Sequence, residues 1–347
     1  MSKLTDVEKK EIIKLKANGQ SNRKIARELL GNENRDKSIR RFLKGLQTSE
    51  VQTVVEEVEE VSEGLEEVLK RVTPVRKNKR LPVQINGRAN IMRIRYEEEI
   101  SIFVISDLQV TPDISLDYCR ELGAYLARKQ PDVIVCIGDL FDLESLSFYD
   151  KGKRAFEGRR LIKDIEAGKA ALKLITDPLK AVKGYEPELH VTLGNHEDRI
   201  QRLANDQPEL EGFVGTHCLG YEDFGFTVHP FLKPVEIQGI LFSHYFANEF
   251  TGKPVGGNAK KLLDVIGQSF VAGHQQKLDM AVKNLYIGDM QVGVVCGAGY
   301  AHDEAYKGYC GNNHFRGHVM INEVLNGFGV ASPVSINHIK NSFKKYS

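Results

Sequence analysis

Residues 133–142 read VIVCIGDLFD, and this stretch decides the fold. Val133 to Ile137 are five apolar residues, four of them β-branched, and they predict a short strand buried on both faces. The strand stops at Gly138-Asp139, with a second carboxylate, Asp142, three residues further on. A carboxylate ending a buried strand has no place in a core, but it suits the sheet edge where α/β proteins put ligands. Working outward, the same corner recurs. Residues 100–106 lead into Asp107-Leu108-Gln109, and residues 189–193 into Gly194-Asn195-His196-Glu197-Asp198-Arg199. Residues 239–243 lead into His244, and residues 269–272 into Gly273-His274-Gln275-Gln276. Five apolar strands that each end in polar side chains predict an α/β domain with one polar centre.

In this order the corners resemble the calcineurin-like metallophosphoesterases, whose pattern is DxH, GDxxD, GNH(D/E), a lone His and GHxH. The resemblance runs over roughly residues 100–335, and GDLFD and GNHED are its most specific parts. It implies a four-layer α/β/β/α sandwich, two facing mixed sheets flanked by helices. It also implies a two-site centre for divalent metal ions. Asp139 would bridge the ions, and Asn195, His244 and His274 would complete the second site, a nitrogen and oxygen set that suits manganese, iron or zinc. The first site would take Asp107 with the His of DxH and the last His of GHxH, but both positions hold glutamine here, Gln109 and Gln276. An amide oxygen in place of an imidazole nitrogen makes that site harder and weaker, closer to magnesium, manganese or calcium. Loss of that ion is the competing reading. The expected cofactor is Mn²⁺ or Mg²⁺, with iron or zinc an option at the second site.

The resemblance carries a mechanism with it. A phosphodiester repels nucleophiles, and two divalent ions neutralise its oxygens and furnish a bridging hydroxide at neutral pH. His196 would sit beside the phosphate as general acid, with Asp142 orienting its ring. Ser/Thr protein phosphatases grip a phosphomonoester with arginines directly after GDxxD and before GNHE; those positions are Leu143 and Leu193 here, which disfavours that subgroup. The loop after GDLFD carries Lys151, Lys153, Arg154, Arg159 and Arg160 with Phe148 and Tyr149 nearby. Base and aromatic together suit a nucleic-acid strand, and a solvated helix start is the plainer alternative. The GNHEDR run and the DLQ variant resemble phosphoesterases carried by bacteriophages, several of which resemble repair nucleases. His190, His217, His229, His302, His314, His318 and His338 are read as structural, with His302-Asp303 the one pair that invites inspection.

Upstream of this domain, charge is segregated although the net charge is only +1. Residues 1–47 carry 13 Lys/Arg against 6 Asp/Glu, residues 48–69 carry eight Glu and no base, and residues 70–96 carry nine Lys/Arg and no acid. The first block reads as three short helices. Thr5 with Glu8 forms a capping box, Ser21 caps a second helix bearing Ile25, Ala26 and Leu29, and Asp36 caps a third with Ile39, Phe42 and Leu43 inward. The phrase from Gly19 to Leu29 resembles a helix-turn-helix, so residues 1–47 are expected to bind DNA through Lys37, Arg40, Arg41 and Lys44; a protein-docking module is the alternative. Residues 48–96 are expected to be an acidic helix followed by a basic linker. Apolar positions at 3-4 spacing from Val51 to Val72 can make a short coiled coil and so a homo-oligomer, or a single helix lying on the main domain. The phosphoesterase domain is placed at residues 97–347.

A hydrophobic fraction of 41% with 27% charged residues excludes wholesale disorder, and no apolar run reaches the length of a membrane span. Charges fill the first ten residues where a signal peptide would be apolar, and the five scattered cysteines have no CxxC spacing, so a cytoplasmic protein with no membrane partner is expected. Together these point to a metal-dependent nuclease or phosphodiesterase delivered to nucleic acid. The alternatives are a phosphatase or cyclic-nucleotide phosphodiesterase, or a non-catalytic DNA-binding factor with a vestigial metal site.

Overall fold

A computed structural model describes residues 12, 21–30, 36–37, 39–40, 80–86, 91–148, 151–303 and 313–346. The chain forms two compact units, Met1–Pro74 and Val75–Ser347.

In the first unit, α1 (Asn22–Leu30) starts at Ser21, whose Oγ accepts the Lys24 N–H at 3.3 Å and whose carbonyl accepts the Ile25 N–H at 3.0 Å. Such a cap satisfies donors that the first helical turn leaves without partners. Ile25 and Ala26 are buried with Ile12 and Ile39, and Leu29 packs against them. Lys37 and Arg40 are exposed. Arg41, Lys44 and the 51–72 segment lie outside the described residues.

The second unit contains two mixed sheets. The strands in chain order are β1 (Arg80–Asn86), β2 (Ile91–Tyr96), β3 (Ile100–Ile105), β4 (Val133–Cys136), β5 (Glu188–Thr192), β6 (Phe226–His229), β7 (Val235–Ile237), β8 (Ile240–Ser243), β9 (Phe270–Ala272), β10 (Asp279–Asn284), β11 (Met290–Val295), β12 (Gly317–Leu325) and β13 (Phe328–Ser335). The helices are α2 (Asp117–Lys129), α3 (Leu161–Ala181), α4 (Asp198–Asp206), α5 (Ala259–Ile266) and α6 (Ile336–Tyr346). One sheet has the order β13-β12-β3-β4-β5-β6, and the other β1-β2-β7-β8-β9-β11-β10. Strands β3 to β6 are mutually parallel, as connections through α2 and α3 require, while β12 runs antiparallel to both β3 and β13.

Alternation of side chains along β3 and β4 builds the layers. Phe103, Ile105, Ile134 and Cys136 pack with Leu122 and Leu126 of α2, Leu172 and Ile175 of α3 and Ile339 of α6. Ile102, Val104, Val133 and Val135 face the other way, onto Val235, Ile237, Phe242 and Val271 of the second sheet. The outer face of that sheet is covered by α5, with Leu262 and Leu263 against Phe270 and Val295. The result is the four-layer α/β/β/α sandwich expected from the resemblance. Phe242 is completely buried between the sheets, and truncating such a ring to alanine costs about 3–5 kcal/mol.

The sequence reading is corrected at one boundary. Arg80–Asn86 and Ile91–Tyr96, assigned to the tail of a basic linker, form β1 and β2 and extend the second sheet. Ile94 and Tyr96 turn into the core, while Arg93 and Arg95 on the alternate face pair with the buried carboxylate of Glu236 on β7, Arg93 Nε lying 3.0 Å from Oε2. That partner lies more than a hundred residues away, so the basic run looks solvated when read locally.

Candidate metal centre

The five corners meet at the C-terminal ends of β3, β4, β5, β8 and β9. The backbone there is unusual. Gln109, Asp139, Leu143, His274 and Gln276 all have positive φ, between 43° and 65°. Side-chain-bearing residues avoid this region at a cost of roughly 1–2 kcal/mol each, and such strain gathers where a site demands it. Gly194 is needed for close approach, since a Cβ there would lie 2.1 Å from Asp139 Oδ1.

Asp139 is buried at the centre. Its Oδ1 accepts the His196 backbone N–H at 3.0 Å, and its Oδ2 lies 3.2 Å from His244 Nε2. Asn195 Oδ1 lies 3.0 Å from His244 Nε2 and 2.7 Å from His274 Nδ1. Among the described residues, Asp139, His244 and His274 offer ligand atoms all within 4.8 Å of one another. The Nδ1 of His244 faces the Ile137 carbonyl at 2.9 Å, which places the proton there and leaves Nε2 free to ligate. These four side chains fit a cation of borderline character.

The electrostatics agree. Burial opposes charge on both Asp139 and His244, yet the His196 and His244 rings hold the Asp139 carboxyl below the usual range, and Asp139 in turn drives His244 up to about 9. A pocket that draws a proton onto a buried imidazole will also draw a metal cation.

Asp107, Gln109 and Gln276 lie at the neighbouring corners. Asp107 is fully buried, and burial, partly offset by His244, pushes its carboxyl up to about 7. Its carboxylate accepts the His274 backbone N–H, at 3.1 Å to Oδ2 and 3.4 Å to Oδ1. Gln109 is 1% exposed and its Oε1 has no hydrogen-bond partner among the described residues, while Gln276 Oε1 accepts the Tyr300 hydroxyl at 3.1 Å. A buried carbonyl oxygen without a donor is costly unless a cation takes that place, so Gln109 Oε1 beside Asp107 suits an oxygen-donor ion site.

His196 sits beside this cluster. Its Nδ1 lies 2.5 Å from Asp142 Oδ1, and its Nε2 lies 3.7 Å from Asp139 Oδ2. Burial disfavours the imidazolium, but Asp139 and Asp142 outweigh it and raise the His196 pKa above its ordinary value.

Two residues of the GNHEDR run acquire roles that the sequence reading did not give them. Glu197 is fully buried and accepts five donors: the backbone N–H groups of Gly194 (2.9 Å) and Asp139 (2.8 Å) at Oε2, and those of Leu140 (2.8 Å) and Phe141 (3.2 Å) with the Tyr221 hydroxyl (2.9 Å) at Oε1. It fastens the 138–142 loop to the 194–197 loop. Arg199, at the start of α4, reaches His196 and Asp142. Glu197 is the acid of the GNH(D/E) pattern itself and Arg199 stands two residues beyond it, but neither the pattern nor the spacing indicates these contacts. Of the basic loop, Arg159 is drawn into an ion pair with Glu144 at 3.0 Å, while Lys151, Lys153, Arg154 and Arg160 are exposed and Phe148 is 78% exposed; Tyr149 lies outside the described residues. His302 stacks on Tyr300 with ring centroids 4.7 Å apart, and Asp303 pairs with Arg316, so that pair is absorbed structurally. His190 and His229 stack on each other, and His318 Nδ1 accepts the Ser106 N–H at 3.2 Å.

A sandwich of two mixed sheets with Asp, Asn and His side chains gathered at its strand ends is the architecture of a metallophosphoesterase. The calcineurin-like phosphoesterase profile matches residues 100–282, more than half of the chain, and the chain belongs to that family of metal-dependent hydrolases of phosphoric esters. It is also similar to two mycobacteriophage proteins. It is 33% identical over 134 residues to the Gene 54 protein of Mycobacterium phage L5, covering 37% of this chain and 50% of that protein. It is 29% identical over 181 residues to the Gene 54 protein of Mycobacterium phage D29, covering 51% and 69% respectively. The chain thus spans half the length of the first relative. No helix among the described residues is long and apolar enough to cross a membrane.

Proposed function

We propose that this protein is a metal-dependent phosphodiesterase acting on nucleic acid. The observation that carries the hydrolytic reading is the convergence of Asp139, Asn195, His244 and His274 on one point, with the His196–Asp142 pair beside it. Asp139, Asn195, His244 and His274 would hold one ion, and Asp107, Gln109 and Gln276 with the shared Asp139 would hold the other. When bound, the ions supply charge neutralisation for the phosphoryl oxygens and a nucleophile from water at neutral pH. The chain's own part is proton handling and orientation. Asp142 fixes the His196 ring through Nδ1, so Nε2 faces the reacting group and can protonate the departing oxygen.

Three features favour nucleic acid as substrate. The loop beyond Asp142 exposes four basic side chains and Phe148. The two arginine positions that grip phosphomonoesters are the buried Leu143 and Leu193. The first unit contains a Ser-capped helix and a small buried cluster, as a helix-turn-helix needs, and Lys37, Arg40, Arg41 and Lys44 are proposed to contact the phosphate backbone. Manganese or magnesium is the proposed cofactor, because the Asp107 side offers oxygen alone. The test is a panel of Mn²⁺, Mg²⁺, Zn²⁺ and Ca²⁺ with labelled single- and double-stranded DNA, RNA and bis(p-nitrophenyl) phosphate. Cleavage of the nucleic acids with Mn²⁺ or Mg²⁺ is expected; turnover of the small ester alone removes the nucleic-acid reading. A non-catalytic DNA-binding factor is the second reading, favoured by Gln109 and Gln276 in place of imidazoles. It requires that no metal support cleavage of any substrate.

A further inference from the structure

Arg199 stands at the edge of the centre with one side of its guanidinium committed and the other directed at His196. Its side chain is 16% exposed. Nη1 donates to the Asp142 carbonyl at 2.7 Å and makes a longer contact, 3.4 Å, with the Leu143 carbonyl. The nearest Asp142 carboxylate oxygen is 3.6 Å from Nη1 and is already held at 2.5 Å by His196 Nδ1. The positive charge is therefore oriented by neutral carbonyls, and the carboxylate beside it is occupied elsewhere.

Nη2 points at His196 Nε2, 3.2 Å away. That nitrogen also lies 3.7 Å from the Asp139 carboxylate at the middle of the metal cluster. Without substrate, a neutral imidazole can accept this N–H. With a phosphoryl group in place, an anionic oxygen is a stronger acceptor than the ring, and an N–H on Nε2 and the N–H of Nη2 can both turn to it. Two donors held 3.2 Å apart on a rigid helix start and a rigid loop form a fork that fits one tetrahedral oxyanion. Arg202, one turn along α4, is different. It is more than half exposed, and its Nε and Nη2 are taken by Asp198 at 3.0 Å and the Asn195 carbonyl at 3.1 Å.

We propose that Arg199 is a catalytic residue that binds a non-bridging oxygen of the substrate phosphoryl group through Nη2, beside His196, and supplies from α4 the arginine contact that Leu143 and Leu193 do not provide. This rests on the reading of the centre as phosphoester-hydrolysing. A planar fork is required, because an ammonium on a flexible stem cannot keep two carbonyl contacts and reach the oxyanion as well.

The experiment compares the natural protein with Arg199→Gln and Arg199→Lys, and with Arg120→Gln, an exposed arginine of α2. Three quantities are read in saturating Mn²⁺: kcat and KM on bis(p-nitrophenyl) phosphate, binding of inorganic phosphate by calorimetry, and bound metal with thermal midpoint. Arg199→Gln is expected to lower kcat/KM by about 10²–10³-fold, the usual effect of deleting one oxyanion donor, and to weaken inorganic phosphate at least about tenfold. Arg199→Lys should recover only a small part of either loss. Metal content and midpoint should match the natural protein, and Arg120→Gln should leave both phosphate affinity and turnover of the small ester within twofold. The proposal is overturned if Arg199→Gln binds phosphate as the natural protein does, if its activity falls only in step with lost metal, or if the natural metal-loaded protein binds no phosphate. Should Arg199→Gln fail to fold, Arg199→Lys decides by the same phosphate measurement. If the natural protein turns over no substrate, the hydrolytic reading fails, and the phosphate calorimetry still answers whether Arg199 holds the oxyanion.

Discussion

Replacing Glu197 by glutamine preserves the shape of the side chain and changes only what its two ends can do. In the native fold every partner of this carboxylate is a donor, two at Oε2 and three at Oε1. An amide must turn its own N–H₂ toward one of those groups, so at best it sacrifices the two bonds at Oε2, from Gly194 and Asp139. Hydrogen bonds to a charged acceptor contribute about 1.5–3 kcal/mol each, so the loss is about 3–6 kcal/mol before repulsion between facing donors is added. Against a total of about 5–15 kcal/mol for a folded domain this is a large fraction. For a unit of this size, with an unfolding entropy of about 2.1 cal/mol/K per residue, it corresponds to a fall in Tm of roughly 5–10 °C. The same change loosens the backbone that carries Asp139 and Asn195, so metal affinity should fall with stability. Urea denaturation with and without Mn²⁺, run beside calorimetric metal titration, measures both. A Glu197→Gln protein within 1 kcal/mol of the natural one, binding Mn²⁺ equally well, refutes the assignment of Glu197 as the fastening between the two loops.

Four further outcomes follow from other parts of the structure. Asp139→Asn should remove the tightly held ion and all turnover, whereas Gln109→His with Gln276→His should tighten the Asp107 side by adding two nitrogen donors; metal analysis after dialysis reads both, and an Asp139→Asn protein that keeps its ion is the contrary result. Burial lowers the His318 pKa to about 3, against about 6.5 when unfolded, so the unfolded chain binds a proton that the fold refuses. Stability should therefore fall as pH drops from about 6.5 toward 3, by roughly 2 kcal/mol at pH 5 from this residue, and His318→Asn, which keeps an acceptor for the Ser106 N–H, should flatten the slope of urea midpoint against pH. Binding of the full-length protein to DNA should weaken steeply with salt, and changing Lys37, Arg40, Arg41 and Lys44 together to Gln should reduce the log–log slope by up to about 0.9 per lost phosphate contact, as fluorescence anisotropy would show; an unchanged slope points to docking on protein instead.

The centre of this protein was legible because its chemistry lies where hydrophobic patterning changes abruptly. Val133 to Ile137 can only be a strand, and the polar residue that ends it must face something other than core; five repetitions of that logic gave the strands and most of the cluster to within a residue or two. What escaped was whatever depends on partners far along the chain. Arg93 and Arg95 read as a solvated run until Glu236 is placed beside them. Glu197 reads as the acid of the GNH(D/E) pattern, with no task of its own, until Tyr221 and the 138–142 loop surround it. The antiparallel pair β12 and β13 gives no such signal, since its strands end in turns without chemistry and carry polar residues such as Asn322 and Glu323 between their apolar positions.

The addition of β1 and β2 to the sandwich changes where the catalytic unit can be cut. A chain that began at residue 97, where the motif pattern alone would start it, would leave one flank of β7 with open amide and carbonyl groups above the apolar side chains of Val235 and Ile237, and would strand the Glu236 carboxylate without either guanidinium. Such a flank is a template for pairing with a second molecule, so the shortened enzyme would be prone to self-association and precipitation. The basic residues that look like a tether act as the selvage of the sheet, and a fragment that keeps this edge whole begins no later than Arg80.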